Sequence, residues 1–140
     1  MDTNLDGSAA IDGTAEATPA ALVAIAKAIG DLDDLVRLLG NGLSRAKPWQ
    51  RHLASRLTAL DRLLQVLRMT IVIERPDIEI LAAAEALCSA CRKTAAAIVG
   101  NRCDLDTKAA IHLIADLASG VREELLLIDS THAWLLRQIL

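Results

Sequence analysis

Few residues in this 140-residue chain are of types suited to chemistry, and their spacing defines what that chemistry would be. Cys88-Ser89-Ala90-Cys91 is a C-x-x-C, the pattern of dithiol redox centres and of half a zinc site, with Cys103 as a third sulfur downstream. Asp129-x-x-His132 sets a carboxylate and an imidazole on adjacent turns of one helix face, a spacing used by di-metal carboxylate bundles. His52 and His112 are candidate phosphoryl acceptors. Arg45, Lys47, Arg51, Arg56, Arg62, Arg68 and Arg75 form a basic segment able to meet an anion.

Each constellation also has a bland reading, and the spacing favours it. A reactive thiol wants a helix N-terminus, whereas this C-x-x-C falls about three turns into a helix, on its apolar stripe. Zinc needs four ligands, and the helical stretch from Cys91 to Gly100 holds Cys103 roughly 13 Å away along the axis. The alkylhydroperoxidase-like helical proteins resemble this chain in their C-x-x-C but carry His four residues after the second Cys. Ala95 stands there, so the resemblance implies no such activity, and the cysteines read as small apolar packing. A di-metal site needs a second acid–His pair and inward acids, while the apolar stripes hold no carboxylate; no metal, cofactor or catalytic residue is expected. Histidine phosphotransfer bundles resemble this chain in placing a His on a helix, in a His-x-x-Lys-Gly pattern. Ser55 and Arg56 follow His52, and Ala115 and Asp116 follow His112, so the pattern is incomplete at both. The second helix and its hairpin are faintly similar to the dimerisation hairpin of sensor kinases, without the acid or Asn that follows their His. His52 as phospho-acceptor is therefore the alternative function, not the leading one.

Composition fixes the elements that must position these residues. Ala contributes 25 residues and Leu 24, Phe and Tyr are absent, and Trp49 and Trp134 are the only aromatics. Good helix formers in such excess, with almost no aromatic residues, predict an all-α fold. Lys27, Arg68 and Glu85 interrupt the most apolar stretches, so no membrane insertion is expected. With no basic-then-apolar leader and an odd number of cysteines, a cytoplasmic location is expected. Arg outnumbers Lys 11 to 4 beside abundant Ala, which points to a GC-rich, bacterial genome. A net charge of −3 and the lack of aromatics among the basic residues disfavour nucleic acid as a partner.

Residues 1–17 read as a flexible acidic tail, carrying Asp2, Asp6, Asp12 and Glu16 with no basic residue. Thr18-Pro19 opens a domain over 18–140. Four stripes of period 3.5 follow: Leu22, Ile25, Ile29, Leu32, Val36, Leu39; then Leu53, Leu57, Leu60, Leu64, Leu67, Ile71; then Leu81, Ala84, Cys88, Cys91, Ala95, Ile98; and finally a run from Ile111 to Ile139. The predicted helices span about 19–39, 48–74, 78–99 and 105–140. Gly40-Asn41-Gly42 should stop the first, Asp77 should cap the third, and Asp104 or Asp106 the fourth. Short connections make neighbours run antiparallel, so the expected architecture is an up-down-up-down four-helix bundle.

Apolar residues outside the stripes carry the functional expectation. Met69, Val72 and Ile73 make the end of the second helix apolar nearly all round. An unbroken fourth helix would overhang there, presenting Trp134, Leu135, Leu136, Ile139 and Leu140. That pole is the expected partner-binding surface of a non-catalytic interaction module (an adaptor, chaperone or regulator), a homo-oligomer by preference.

Overall fold

The computed structural model describes residues 19–100, 102–128 and 130–140. The predicted tail, Thr18, Asp129 and the side chain of His132 lie outside the described residues. Helix is the only regular structure among those described, and no strand occurs. The helices are α1 Pro19–Gly42, α2 Pro48–Val72, α3 Asp77–Ala97, α4 Leu105–Leu126 and α5 Ser130–Ile139. α1 packs on α2 and on α4, α2 on α3, and α3 on α4, closing a ring of four; α5 lies against α1 and α2. No described helix is long and apolar enough to cross a membrane.

Local chemistry explains the ends. No described glycine has a positive φ, so Gly40-Asn41-Gly42 continues α1 in helical geometry instead of stopping it at residue 39. α2 starts with Pro48 at its first position, and the Lys47 amide donates to Gln50 Oε1 at 2.9 Å. Its other end is a Schellman motif: the Glu74 amide donates to the Ile71 carbonyl at 3.2 Å and the Arg75 amide to the Thr70 carbonyl at 3.1 Å. Glu74 takes the left-handed position usually filled by Gly, at φ 61°. Asp77 does not cap α3 as expected. Pro76 occupies the cap position, and Asp77 and Glu79 instead place negative charge in the first turn, where the helix dipole favours it. Arg75 grips Glu79 through two bonds of 2.9 and 2.8 Å, stitching the turn to the helix. Between the two candidate caps of α4, the structure selects Asp104, which accepts from the Thr107 amide at 3.2 Å and the Thr107 hydroxyl at 2.7 Å.

The predicted continuous helix over 105–140 is corrected. α4 runs through Gly120 but ends at Leu126, where the Leu127 and Ile128 amides turn back to carbonyls three residues earlier. Three consecutive residues that compete with helical hydrogen bonding, Asp129-Ser130-Thr131, follow directly in the sequence. The compensation for the break is burial. An overhang would leave Leu136 in water, whereas in α5 it is only 1% exposed and belongs to the core.

The α1 stripe is buried from Leu22 to Val36, and every predicted position of the α2 stripe is buried. The α3 seam is wider than expected. Ala84, Cys88, Cys91 and Ile98 are buried as predicted, but Ile80, Leu87 and Thr94 join the seam while Leu81 and Ala95 are only half-buried. Leu87 and Ile80 thus fill the space that a stripe of alanines and cysteines would have left thin. Thr94 tolerates burial because its hydroxyl donates to the Ala90 carbonyl at 2.8 Å.

One polar cluster interrupts this apolar interior. Asp33 of α1 is 8% exposed and faces α2. Gln65 Nε2 donates to its carboxylate at 3.1 Å, while the Arg37 and Arg68 guanidinium groups lie 3.3 and 3.6 Å from it. A buried carboxylate survives only with such partners.

Candidate interaction surface

The chemistry-bearing residues are dispersed. Cys88 and Cys91 are both buried in the middle of α3. Burial pushes the Cys91 thiol up to about 12, and its neighbour Cys88 adds to the rise. The Cys88 sulfur is 3.4 Å from the Ser119 hydroxyl and accepts from the Arg92 guanidinium at 3.4 Å. Cys103 is also buried, and its thiol is raised first by desolvation and then by the Asp104 carboxylate. Thiols shielded from solvent in this way pack as small apolar groups. Among the described residues, no group of three or more His, Cys, Asp or Glu side chains is arranged to hold a metal ion. His52 on α2 and His112 on α4 are exposed on separate helices.

Part of the basic segment is satisfied internally. Arg68 pairs with Asp33 and Arg75 with Glu79, while Arg51 donates to the Arg45 and Ala46 carbonyls at 3.0 Å each. Arg62 is exposed.

Several solvent-facing hydrophobic side chains gather at the apolar pole. A small void is lined by Ile71 from the end of α2, Ile80 and Leu81 from the start of α3, Leu125 and Ile128 from the end of α4, and Leu136 of α5. These elements therefore meet around one void. Around them Met69 is 56% exposed, Ile73 55%, Trp134 52% and Ile139 44%, and Val72 is exposed too. Trp134 and Arg137 line a cleft with Glu74, Arg75 and Pro76, and the Arg137 guanidinium lies 3.6 Å from Glu74 and 6.0 Å from the centre of the Trp134 ring. The Arg137–Glu74 pair ties α5 to the α2–α3 turn, while the contact with Trp134 lies within α5.

Of the eight residues named from sequence, five stand free at this pole. Leu136 is withdrawn from the surface, and Leu135 and Leu140 are half-buried against the core. Sequence reasoning missed Ile78, Leu126 and Leu127, which are 76%, 55% and 48% exposed at the same end. Ile78 lies in the first turn of α3, outside the predicted seam, with its side chain in solvent. Leu126 and Leu127 were legible only as the close of a helix whose end was placed too late.

No protein family, curated protein or solved structure matches the chain.

Proposed function

We propose that this chain is a non-catalytic protein–protein interaction module, an antiparallel up-down-up-down bundle that self-associates through its apolar pole. The observation that carries the reading is the collar of exposed Met69, Val72, Ile73, Ile78, Leu126, Leu127, Trp134 and Ile139 at one end of the bundle. Contiguous apolar surface of this kind is costly in water and is characteristic of partner sites, with Trp a common anchor. The meeting of the end of α2, the start of α3 and the end of α4 around one void supports the antiparallel arrangement. Free, buried thiols support a reducing, cytoplasmic setting.

Light scattering across the micromolar to submillimolar range tests it, with Trp134→Asp as the perturbation. The wild-type mass should rise with concentration, and the variant should stay monomeric with unchanged far-ultraviolet circular dichroism. A wild-type chain that is monomeric throughout, or a variant that associates equally well, overturns the proposal.

A further inference from the structure

The self-association just proposed needs a receiving surface, and the charges of two faces single one out. A groove of about 580 Å³ runs between α1 and α4. Its floor is shallow and small-sided, made by Ala20, Ala24 and Ala28 of α1 facing Leu117 and Gly120 of α4. Leu35, Leu113 and Leu117 prolong it as a second hollow of about 350 Å³. The rim is acidic, with Asp116, Glu123 and Glu124 beside the first hollow and Asp31 and Asp34 beside the second. Among the described residues lining the two hollows, none is basic, and Lys27 nearby is already paired with Asp31 at 2.9 Å.

The complementary face is on α2. Ala59, Arg62, Val66, Met69 and Ile73 recur at 3-4-3-4 spacing, and all five are exposed. They form a second stripe that points away from the core, with Arg51 and His52 ahead of it and no acid on the same line. It is an apolar ridge of protruding knobs around one cation, Arg62, the form that helix-in-groove recognition uses. The dimensions agree as well. The ridge from Ala59 to Ile73 is roughly 21 Å long at 1.5 Å per residue, and the groove from Ala20 to Leu35 is roughly 22 Å.

We infer that the α2 ridge of one copy docks in the α1–α4 groove of a second copy. Alanines on the floor let the incoming helix approach closely, Val66, Met69 and Ile73 enter between α1 and α4, and Arg62 faces the acidic rim. The inference rests on the self-association reading, since Met69 and Ile73 belong to both surfaces. It adds that the contact joins two different faces. The acidic tail is the competing occupant within the chain, and its Asp2, Asp6, Asp12 and Glu16 would be repelled by the rim. Because ridge and groove are distinct, every open complex still offers one free ridge and one free groove, so growth continues to a ring or a filament instead of stopping at a two-fold dimer.

Complementation of surface variants tests this on the full chain. Val66→Asp spoils the ridge, and the double change Asp116→Lys with Glu123→Lys reverses the rim; all three residues are exposed, and circular dichroism checks that each variant keeps its helices. Alone, each variant should lose about 100-fold or more in self-affinity and run as a monomer. Mixed in equal amounts, they should form a one-to-one heterodimer and nothing larger, because each supplies the half the other lacks. High salt should weaken that heterodimer by screening the rim. If the rim variant assembles like wild type while Trp134→Asp is monomeric, ridge-in-groove docking is wrong and the pole reading stands. A mixture that stays monomeric also refutes the docking. A wild-type chain monomeric at all concentrations removes both.

Discussion

Replacing Leu136 with Ala should unseat α5 at a measurable cost. The side chain is 1% exposed and shares its void with Ile71, Ile80, Leu81, Leu125 and Ile128. Truncation removes three carbons, and at ~0.8 kcal/mol per buried methylene the transfer loss alone is about 2.4 kcal/mol. The void beneath Leu136 is already present at ≈ 20 Å³, so the deletion enlarges a defect and adds a cavity contribution. A total of about 3 kcal/mol follows, within the usual range for buried leucines and equal to roughly 10 °C in Tm for a chain of this size. α5 has 10 residues, too few to hold a helix in water by itself, so lost docking should also appear as lost helicity. Urea and thermal unfolding followed by circular dichroism give the stability. Trp134, two residues away on the same helix, reports the docking by fluorescence once Trp49 is changed to Phe. If Leu136→Ala leaves Tm within about 2 °C of wild type, with unchanged helix content and Trp134 emission, the packing assigned to α5 is wrong.

Other perturbations probe the turns and thiols. Glu74→Gly removes a left-handed non-glycine residue that costs ~1–2 kcal/mol, offset by ~0.5–1 kcal/mol of glycine entropy and by an exposed ion pair to Arg137. The net expectation is a Tm higher by about 2 °C, and a fall would refute the strain argument. Cys91 ionises near 9 when exposed but only at about 12 when buried, so the unfolded chain gives up that proton first. Its stabilising contribution is complete below pH 9 and is lost as the pH climbs toward 12; Cys91→Ala should flatten the alkaline limb of a Tm–pH profile relative to wild type. The Asp104 carboxyl is held below its ordinary range by the Thr107 hydroxyl and backbone amides. Its stabilisation is present at neutral pH and disappears as the pH falls through that lowered value. Asp104→Ala should lower Tm by a few degrees at neutral pH, and Asp104→Asn should keep the cap while losing the acid dependence.

How far the sequence revealed this architecture depended on how unambiguous each stripe was. The α2 seam consists of long aliphatic residues flanked by charge, and every one of its positions is buried. In α3 the Ala84, Cys88, Cys91 and Ile98 positions are buried as their spacing predicts, but Ile80, Leu87 and Thr94 take the places expected of Leu81 and Ala95. Burial of Thr94 depends on its hydroxyl's bond to the Ala90 carbonyl, which a hydrophobic pattern does not show. The helix break after Leu126 was foreshadowed by Asp129-Ser130-Thr131, but the apolar stripe keeps phase through those residues. The decision between overhang and fold-back rested on a tertiary contact, that of Leu136 with the core, which periodicity does not encode. The acidic groove was equally invisible, because its floor is alanine and its two walls are far apart in the chain.

The carboxylate cluster between α1 and α2 acts as a registration key. Both helices carry seams that repeat every seven residues, so either could slide along the other by one repeat and still match Leu or Ile against Leu. Sliding one way would bring Thr58 and Asp61 to the places now held by Gln65 and Arg68, setting two like charges face to face. Sliding the other way would put Val72 where Gln65 donates, leaving an oxygen of Asp33 without its amide. An interior made only of repeating hydrocarbon would accept several alignments, and this one acid narrows them to one.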